Sequence, residues 1–343
     1  MKNNFLLLML LLGLISCREE ISLELNSNEE KLVVEGHIEP GFPPYIILTK
    51  NQGYFDPIDS NTYSNIFVSE AEITVYKLEN DTEIDSINLI VDPLIEGSFG
   101  IPIFTNTEDF ISTFSEEGHR YNLKIKWNNK LITSSTTIPY STPLDSLFVK
   151  DSIIDSERPW KSQIRAVITD PDTIGNNFLL KSKRIQHYTI IDSTNDVPTY
   201  INQPDFSNLL VDCGPDILVN GTKFETYFPR PEPEGGFPDG NYNTRRYRKF
   251  NNGNDSILIE EDIVLIKYCQ VDLASMRFWR GVVRNSTSGG NPFAEPANLA
   301  SNINGGLGVW TGYGTKYYIL PILKGEGVEP ITEEYIPEIW DIF

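Results

Sequence analysis

Residue types that bind metals alternate near the start of the predicted globular part. Glu35, His37 and Glu39 are separated by single residues, and on a regular strand such side chains project from one face about 6–7 Å apart. Carboxylates and an imidazole can bind a divalent transition metal. The outer two would lie about 13 Å apart, however, which is too far to share one ion without a bulge. We therefore interpret the three as a solvated strand face and predict no metal site.

Oxygen-bearing side chains are concentrated in residues 170–177, which read Asp-Pro-Asp-Thr-Ile-Gly-Asn-Asn. Calcium takes 6–8 oxygen ligands, so a calcium loop is one interpretation. The segment lacks the regular alternation and the terminal glutamate of such a loop. Asp-Pro and Gly-Asn-Asn are also common turn sequences, and a turn between strands is the interpretation that we favour.

A long loop rich in proline and glycine is the best candidate for a binding site. It follows Phe228 and contains Phe237, and Tyr242 and Tyr247 come after it. Long irregular loops are usually functional or disordered, and exposed aromatic rings stack on sugars or anchor protein partners. We predict that these four residues contact a glycan, a peptide or a protein. The alternative is that their rings pack back onto the core.

Signals for catalysis and for nucleic-acid binding are missing from the sequence. It contains no HExxH, GxSxG, CxxC, GxxxxGK or GxGxxG motif, so we assign no catalytic residue and no cofactor and predict that the protein is not an enzyme. With 28 basic and 48 acidic residues the net charge is −20. Such a charge repels phosphate backbones, and we predict no nucleic-acid partner.

The N-terminus predicts export and lipidation. Residues 5–15 form an apolar run after Lys2, shorter than the roughly 20 residues that span a bilayer, as in a signal peptide. The run ends in Leu14-Ile15-Ser16-Cys17, which resembles the lipobox of bacterial lipoproteins, where the cysteine is acylated and the chain is cut before it. The alternative is an ordinary signal peptide with a fortuitous cysteine.

The residues after Cys17 indicate where the anchored protein faces. Arg18-Glu19-Glu20 resembles the surface-export signal of Bacteroidota lipoproteins, although a solvated acidic tether would look the same. We expect an outer-membrane lipoprotein that faces the cell surface, with the periplasmic leaflet as the alternative. Cys213 and Cys269 then remain as an even pair in an oxidising compartment, and we predict a disulfide between them, against two buried free thiols.

The predicted elements are mostly strands. Residues 121–127 alternate between apolar and polar side chains, the period of a half-buried strand, and Asn128-Asn129 predicts a tight hairpin to the next one. The fold class is therefore mainly β, with two antiparallel β-sandwich-type modules. The first resembles an immunoglobulin-like or transthyretin-like module, and the second contains one helix. Asp272 can cap this helix, whose apolar face would consist of Leu273, Met276, Trp279, Val282 and Val283.

These patterns predict a division of the chain into five segments. They are a signal peptide (1–16), an acidic tether (17–30), an N-terminal β-sandwich domain (31–140), a second β-rich domain with a helix near 272–285 (141–325), and an acidic C-terminal tail (326–343). Residues 140–145, which include Pro143, are predicted to link the two domains.

Several motifs, in this order, resemble the Bacteroidota outer-membrane lipoproteins catalogued as domain of unknown function 4249. Beside the lipobox they are Leu-Val-Val-Glu-Gly-His-Ile (32–38), Thr-Thr-Ile-Pro (136–139), Asp170-Pro171 ahead of Asn177-Phe178, Asn-Pro-Phe-Ala-Glu-Pro (291–296), Ser-Asn-Ile (301–303) and Gly-Leu-Gly-Val-Trp (306–310). The family has no established catalytic residues, so the resemblance carries over only Cys17, as the lipidation site.

The resemblance implies an accessory role, because members resemble lipoproteins found with TonB-dependent transporters. We therefore expect a non-enzymatic, membrane-anchored accessory or ligand-binding protein with such a transporter as its partner. The alternatives are a structural or assembly subunit of an outer-membrane complex, and a surface protein that binds or acts on glycans.

Overall fold

The computed structural model describes residues 30–52, 65–93, 100–106, 113–151, 162–191, 198–203, 209–228, 247–249, 256–288 and 298–321. The predicted signal peptide, the tether before residue 30 and the acidic tail lie outside these ranges. Within them, no helix is long and apolar enough to cross a membrane.

The described residues are mainly β-strand, which confirms that the fold is mainly β as predicted. The strands are β1 (Leu32–Ile38), β2 (Tyr45–Lys50), β3 (Glu72–Glu79), β4 (Thr82–Val91), β5 (Phe104–Thr105), β6 (Arg120–Trp127), β7 (Lys130–Thr137), β8 (Ser146–Asp151), β9 (Ser162–Thr169), β10 (Asn177–Ile191), β11 (Pro198–Gln203), β12 (Leu209–Gly214), β13 (Lys223–Phe228), β14 (Tyr247–Lys249), β15 (Ser256–Val271) and β16 (Leu307–Pro321). A 3-10 turn covers Asp216–Leu218, and helix α1 covers Leu273–Ser288.

Local sequence accounts for the hairpin between β6 and β7. In β6, Tyr121, Leu123, Ile125 and Trp127 are buried, and the residues between them are partly or fully exposed. Asn128 and Asn129 have φ values of 47° and 59°, as both central residues of a type I′ turn require. The predicted strand and its tight turn are therefore confirmed.

Most strands belong to one large sheet. Its order is β11-β10-β15-β16-β1-β2-β5-β4-β3-β6-β7, with β12 also paired to β10 and β14 to β15. A smaller sheet has the order β13-β9-β8. β16 belongs to both halves of the large sheet, because its first part pairs in parallel with β1 and its second part pairs antiparallel with β15.

Buried apolar side chains form three cores. The first lies among β1–β7 and includes Tyr121 and Trp310. The second lies between the small sheet and β10, β15 and β16, and includes Leu147 and Tyr318. The third lies between α1 and the opposite face of those strands, and includes Trp279.

The segment that was predicted to be a linker is packed against the second half of the chain. The backbone N–H of Thr142 donates to Gln270 Oε1 at 2.7 Å, and that of Leu144 donates to the Tyr318 hydroxyl at 2.8 Å. Both residues are buried. Residues 142–144 are thus held against β15 and β16 rather than extended between two separate bodies.

Helix α1 begins as the sequence predicts. Asp272 Oδ1 accepts a hydrogen bond from the backbone N–H of Ser275 at 2.8 Å, which satisfies an N-terminal amide of the helix. Its other carboxylate oxygen accepts from Thr136 Oγ1 at 2.7 Å and so ties the helix to β7. Met276 and Trp279 are buried, but Leu273 is 50% exposed and does not belong to the apolar face.

The junction of β1 and β16 explains two of the motifs. A side chain on Gly36 would lie 2.9 Å from the Trp310 ring, and one on Gly308 would clash with the Val34 carbonyl oxygen at 1.9 Å. Asn302 holds Trp310 from the other side, with its Nδ2 donating to Trp310 O at 2.7 Å and its Oδ1 accepting from Trp310 N at 2.9 Å. The close approach of β1 and β16 at this junction therefore depends on two glycines and one side-chain amide.

We expect Asn302→Ala to lower the free energy of unfolding by about 2 kcal/mol, because it leaves two buried backbone groups of Trp310 without partners. Urea denaturation measures this. Asn304→Ala is the matched control, since the hydrogen bonds of Asn304 to Thr133 are made by its backbone, which the substitution keeps. Equal losses in the two variants would contradict the role assigned to Asn302.

Candidate functional site

Neighbouring strands bring polar side chains together on the face of the large sheet that also carries α1. In the register, Lys181 of β10 lies opposite Lys267 of β15, and Lys267 lies opposite Tyr317 of β16. Side chains two residues apart share a face, so Tyr313 of β16 lies on the same side. We use the name polar cluster for His37, Glu39, Lys181, Lys267, Tyr313 and Tyr317.

The base of the polar cluster is a buried ion pair. Lys267 Nζ lies 3.1 Å from Glu39 Oε1 and 3.0 Å from Glu39 Oε2, and the two side chains are 0% and 1% exposed. The Tyr317 hydroxyl donates to Glu39 Oε2 at 2.7 Å. Burial and the Glu39 charge raise the pKa of Tyr317 well above its usual value. Buried charges are stable only when they are paired in this way. Glu39, Lys267 and Tyr317 therefore satisfy one another.

Lys181 is differently placed. It is partly buried, and its Nζ lies 4.7 Å from the centre of the Trp279 ring and 5.7 Å from that of Tyr313. Among the described residues no carboxylate forms an ion pair with it. Burial, followed by the charge of Lys267, lowers the pKa of Lys181 to about 8. Its amine therefore has aromatic neighbours on one side and remains available to a hydrogen-bond acceptor.

Tyr313 lies at the centre of the polar cluster. Its ring is 4.6 Å from Lys267 Nζ, and its side chain is fully buried. Among the described residues, no group hydrogen-bonds to its hydroxyl. A buried hydroxyl without a partner costs free energy unless water or a ligand supplies one, so this atom is a place where a bound molecule would be stabilised.

His37 forms the side of the polar cluster next to β1. Its ring stacks on Tyr45 at a centroid distance of 4.8 Å and an interplanar angle of 22°, and it lies 5.5 Å from the Tyr313 ring. Burial, and then the charges of Lys267 and Lys181, lower the pKa of His37 well below its usual value. The imidazole is therefore neutral near pH 7, and the polar cluster offers lysine, tyrosine and histidine groups to a ligand without a nucleophile–base pair.

The predicted solvated strand face is wrong for one of its three residues. β1 ends at Ile38, and Glu39 turns inward to Lys267, because a buried ammonium group needs a carboxylate partner. Glu35 remains exposed and His37 is partly buried. Within the described ranges, no three His, Cys, Asp or Glu side chains are grouped so that they could hold a metal ion.

The predicted disulfide is not formed, and Cys213 and Cys269 are free, buried thiols. Leu179 of β10 pairs with Cys213 on one side and with Cys269 on the other. The two cysteines are therefore two strand spacings apart, about 9–10 Å, whereas a disulfide needs Cα atoms within about 7 Å. Burial raises the pKa of both thiols, to about 12 for Cys213 and about 11 for Cys269.

Most of the predicted aromatic loop lies outside the described residues. Phe237 and Tyr242 belong to that part, and Phe228 and Tyr247 are described only as the backbone ends of β13 and β14. The binding role of these four residues stays a prediction.

Sequence reasoning missed Lys181, Lys267, Tyr313 and Tyr317. One signal was available, since Lys267 interrupts the otherwise apolar run Ile-Val-Leu-Ile (263–266) and Tyr-Cys (268–269) of β15. A lysine at the centre of such a strand must find a buried partner. Its partner lies 228 residues away, and the sequence gives no information about that contact.

We expect Lys181→Met to stabilise the protein near pH 7. The pKa of Lys181 falls from 10.5 in the free residue to about 8 in the fold, so the unfolded chain binds more protons between these values and the fold gains stability as the pH rises through them. The advantage of the methionine should therefore shrink from about pH 7 to about pH 9.5. Urea denaturation at both pH values tests this, with Lys183→Met as control. A pH-independent difference would contradict the assigned pKa.

No curated protein matches the chain. Residues 18–318 match the family described as a domain of unknown function, DUF4249. The matched region includes the strands that form the polar cluster, and it covers most of the 343 residues. The chain therefore belongs to the domain of unknown function 4249 family.

Proposed function

We propose that the protein is a lipoprotein of the outer membrane, anchored through Cys17 and facing the cell surface, and that it acts without catalysis. In this role it binds a ligand or partner as an accessory component of a TonB-dependent transporter. The polar cluster is the proposed contact region, and the groups in it that are not bonded to Glu39 are Lys181, Tyr313 and His37.

The observation that carries the binding role is the contrast between the two lysines. Lys267 forms an ion pair with Glu39. The amine of Lys181 instead lies against the rings of Trp279 and Tyr313, and no carboxylate in the described part of the chain forms an ion pair with it. A partly desolvated amine beside a buried hydroxyl that has no partner among the described residues is suited to a ligand that carries carboxylate or carbonyl oxygens. Retaining such a group costs stability, which a binding role would explain.

The anchoring role is supported by the sequence Leu14-Ile15-Ser16-Cys17, which follows an apolar run and resembles a lipobox. An acyl anchor holds a protein through its buried methylene groups. The net charge of −20 disfavours adsorption of the folded body on anionic headgroups, so membrane attachment would depend on the lipid.

The anchored complex can be tested by purifying the tagged protein from native outer membrane in mild detergent. We expect a TonB-dependent transporter to copurify with the wild type, and we expect Cys17→Ala to abolish membrane attachment and recovery of the transporter together. Recovery of the wild-type protein alone from intact outer membrane would contradict the accessory role.

The contact region is tested in the same purification. Lys181→Met should reduce recovery of the partner at least about tenfold, equivalent to about 1.4 kcal/mol of binding free energy, although the variant is expected to be no less stable than the wild type. Lys183→Met lies two residues along the same strand and is the matched control. If both variants recover the partner like the wild type, the polar cluster is not the contact region.

A further inference from the structure

Two buried aspartates lie where β9 ends and where the chain approaches β13. Asp170 follows β9 and is 6% exposed, and Asp216 begins the 3-10 turn and is 1% exposed. The backbone N–H of Asp170 donates to Thr222 O at 3.0 Å. The backbone N–H of Gly175 donates to Asp216 Oδ2 at 3.0 Å. Residues 170–177 and 216–222 are therefore held together as one unit, which we name the loop pair.

Three buried oxygen atoms of the loop pair accept no hydrogen bond from any residue that the structure describes. They are Asp170 Oδ2, Asp216 Oδ1 and Asn220 Oδ1. The orientation of Asn220 is fixed, because its Nδ2 donates to Asp172 Oδ1 at 2.9 Å. When the Asn176 amide is oriented with its nitrogen toward Asp216, that nitrogen donates to Asp216 Oδ2 and to Thr173 O. The three atoms that lack a partner among the described residues are thus all oxygen acceptors.

Nothing in the described part of the chain neutralises these carboxylates, since no Lys, Arg or His side chain there forms an ion pair with Asp170 or Asp216. A buried carboxylate is costly unless it is paired, protonated or bound to a metal.

We propose that the loop pair binds Ca²⁺, with the Asp170 and Asp216 carboxylates as charged ligands and the Asn220 amide oxygen as a neutral one. Calcium prefers oxygen ligands, accepts irregular geometry and completes its 6–8 contacts with backbone carbonyls and water. The ligand set contains no nitrogen or sulfur, which disfavours transition metals. Mg²⁺ keeps its own water and demands near-octahedral geometry, which suits a preformed irregular loop less well.

A calcium ion here would fix the edge of the small sheet to the large one. Asp170 directly follows β9 of the small sheet, and Asn177 begins β10 of the large sheet. Binding at the turn between them would stabilise their relative position, because an ion that binds only the folded chain shifts the unfolding equilibrium.

The test is the melting temperature and the calcium-binding isotherm of the full-length protein in mild detergent. Extracellular calcium modules bind with dissociation constants of about 10⁻⁴–10⁻³ M. At about 10 mM CaCl₂ we expect the melting temperature to rise by about 3 °C over that in chelator, with a matching calorimetric isotherm. NaCl at equal ionic strength and MgCl₂ should give less than half of this rise.

Asp170→Asn and Asp216→Asn should each abolish the calcium-dependent rise, and without calcium they should melt at or above the wild-type temperature, because a like charge has been removed. Asp172→Asn is the matched control in the same loop, since its oxygen can still accept from Asn220, and it should keep the rise. No isotherm with the wild type, an equal response to Mg²⁺, or equal losses in all three variants would each overturn the proposal.

Discussion

Glu39 and Lys267 are separated by 228 residues and form an ion pair from which water is almost completely excluded. Breaking such a pair by removing one partner typically costs 3–5 kcal/mol, because the other charge is left buried. The pair fixes the chain leaving β1 against β15, while β16 lies between these strands in the sheet. Correct pairing of β1 with β16 and closure of the ion pair therefore require each other.

This constraint divides the polar cluster into two parts with different roles. Glu39, Lys267 and Tyr317 satisfy one another and belong to the scaffold. Lys181 and Tyr313 share the same face but lack such partners within the described ranges. Groups that a fold keeps at a cost in stability are where binding is expected. The motif around Gly36, Asn302 and Trp310 is, in contrast, explained by packing alone.

The sequence predicts features that depend on neighbours along the chain. Alternation predicted β6, the Asn128-Asn129 pair predicted a hairpin, and Asp272 predicted the start of α1. Features that depend on the register between distant strands could not be predicted from the sequence. Cys213 and Cys269 lie on strands at opposite sides of Leu179. Glu39 is buried against Lys267 of β15, a residue that is distant in sequence. The candidate site consists of such distant contacts, so composition and spacing could not locate it.

A double-mutant cycle on the buried pair tests the central claim that the scaffold depends on it. Urea denaturation of the wild type, Glu39→Gln, Lys267→Met and the double variant gives four free energies of unfolding. We expect each single variant to lose about 3–5 kcal/mol, and the double variant to lose well below the sum, since neither charge is then left alone. Additive losses, or single losses below about 1 kcal/mol, would contradict the account.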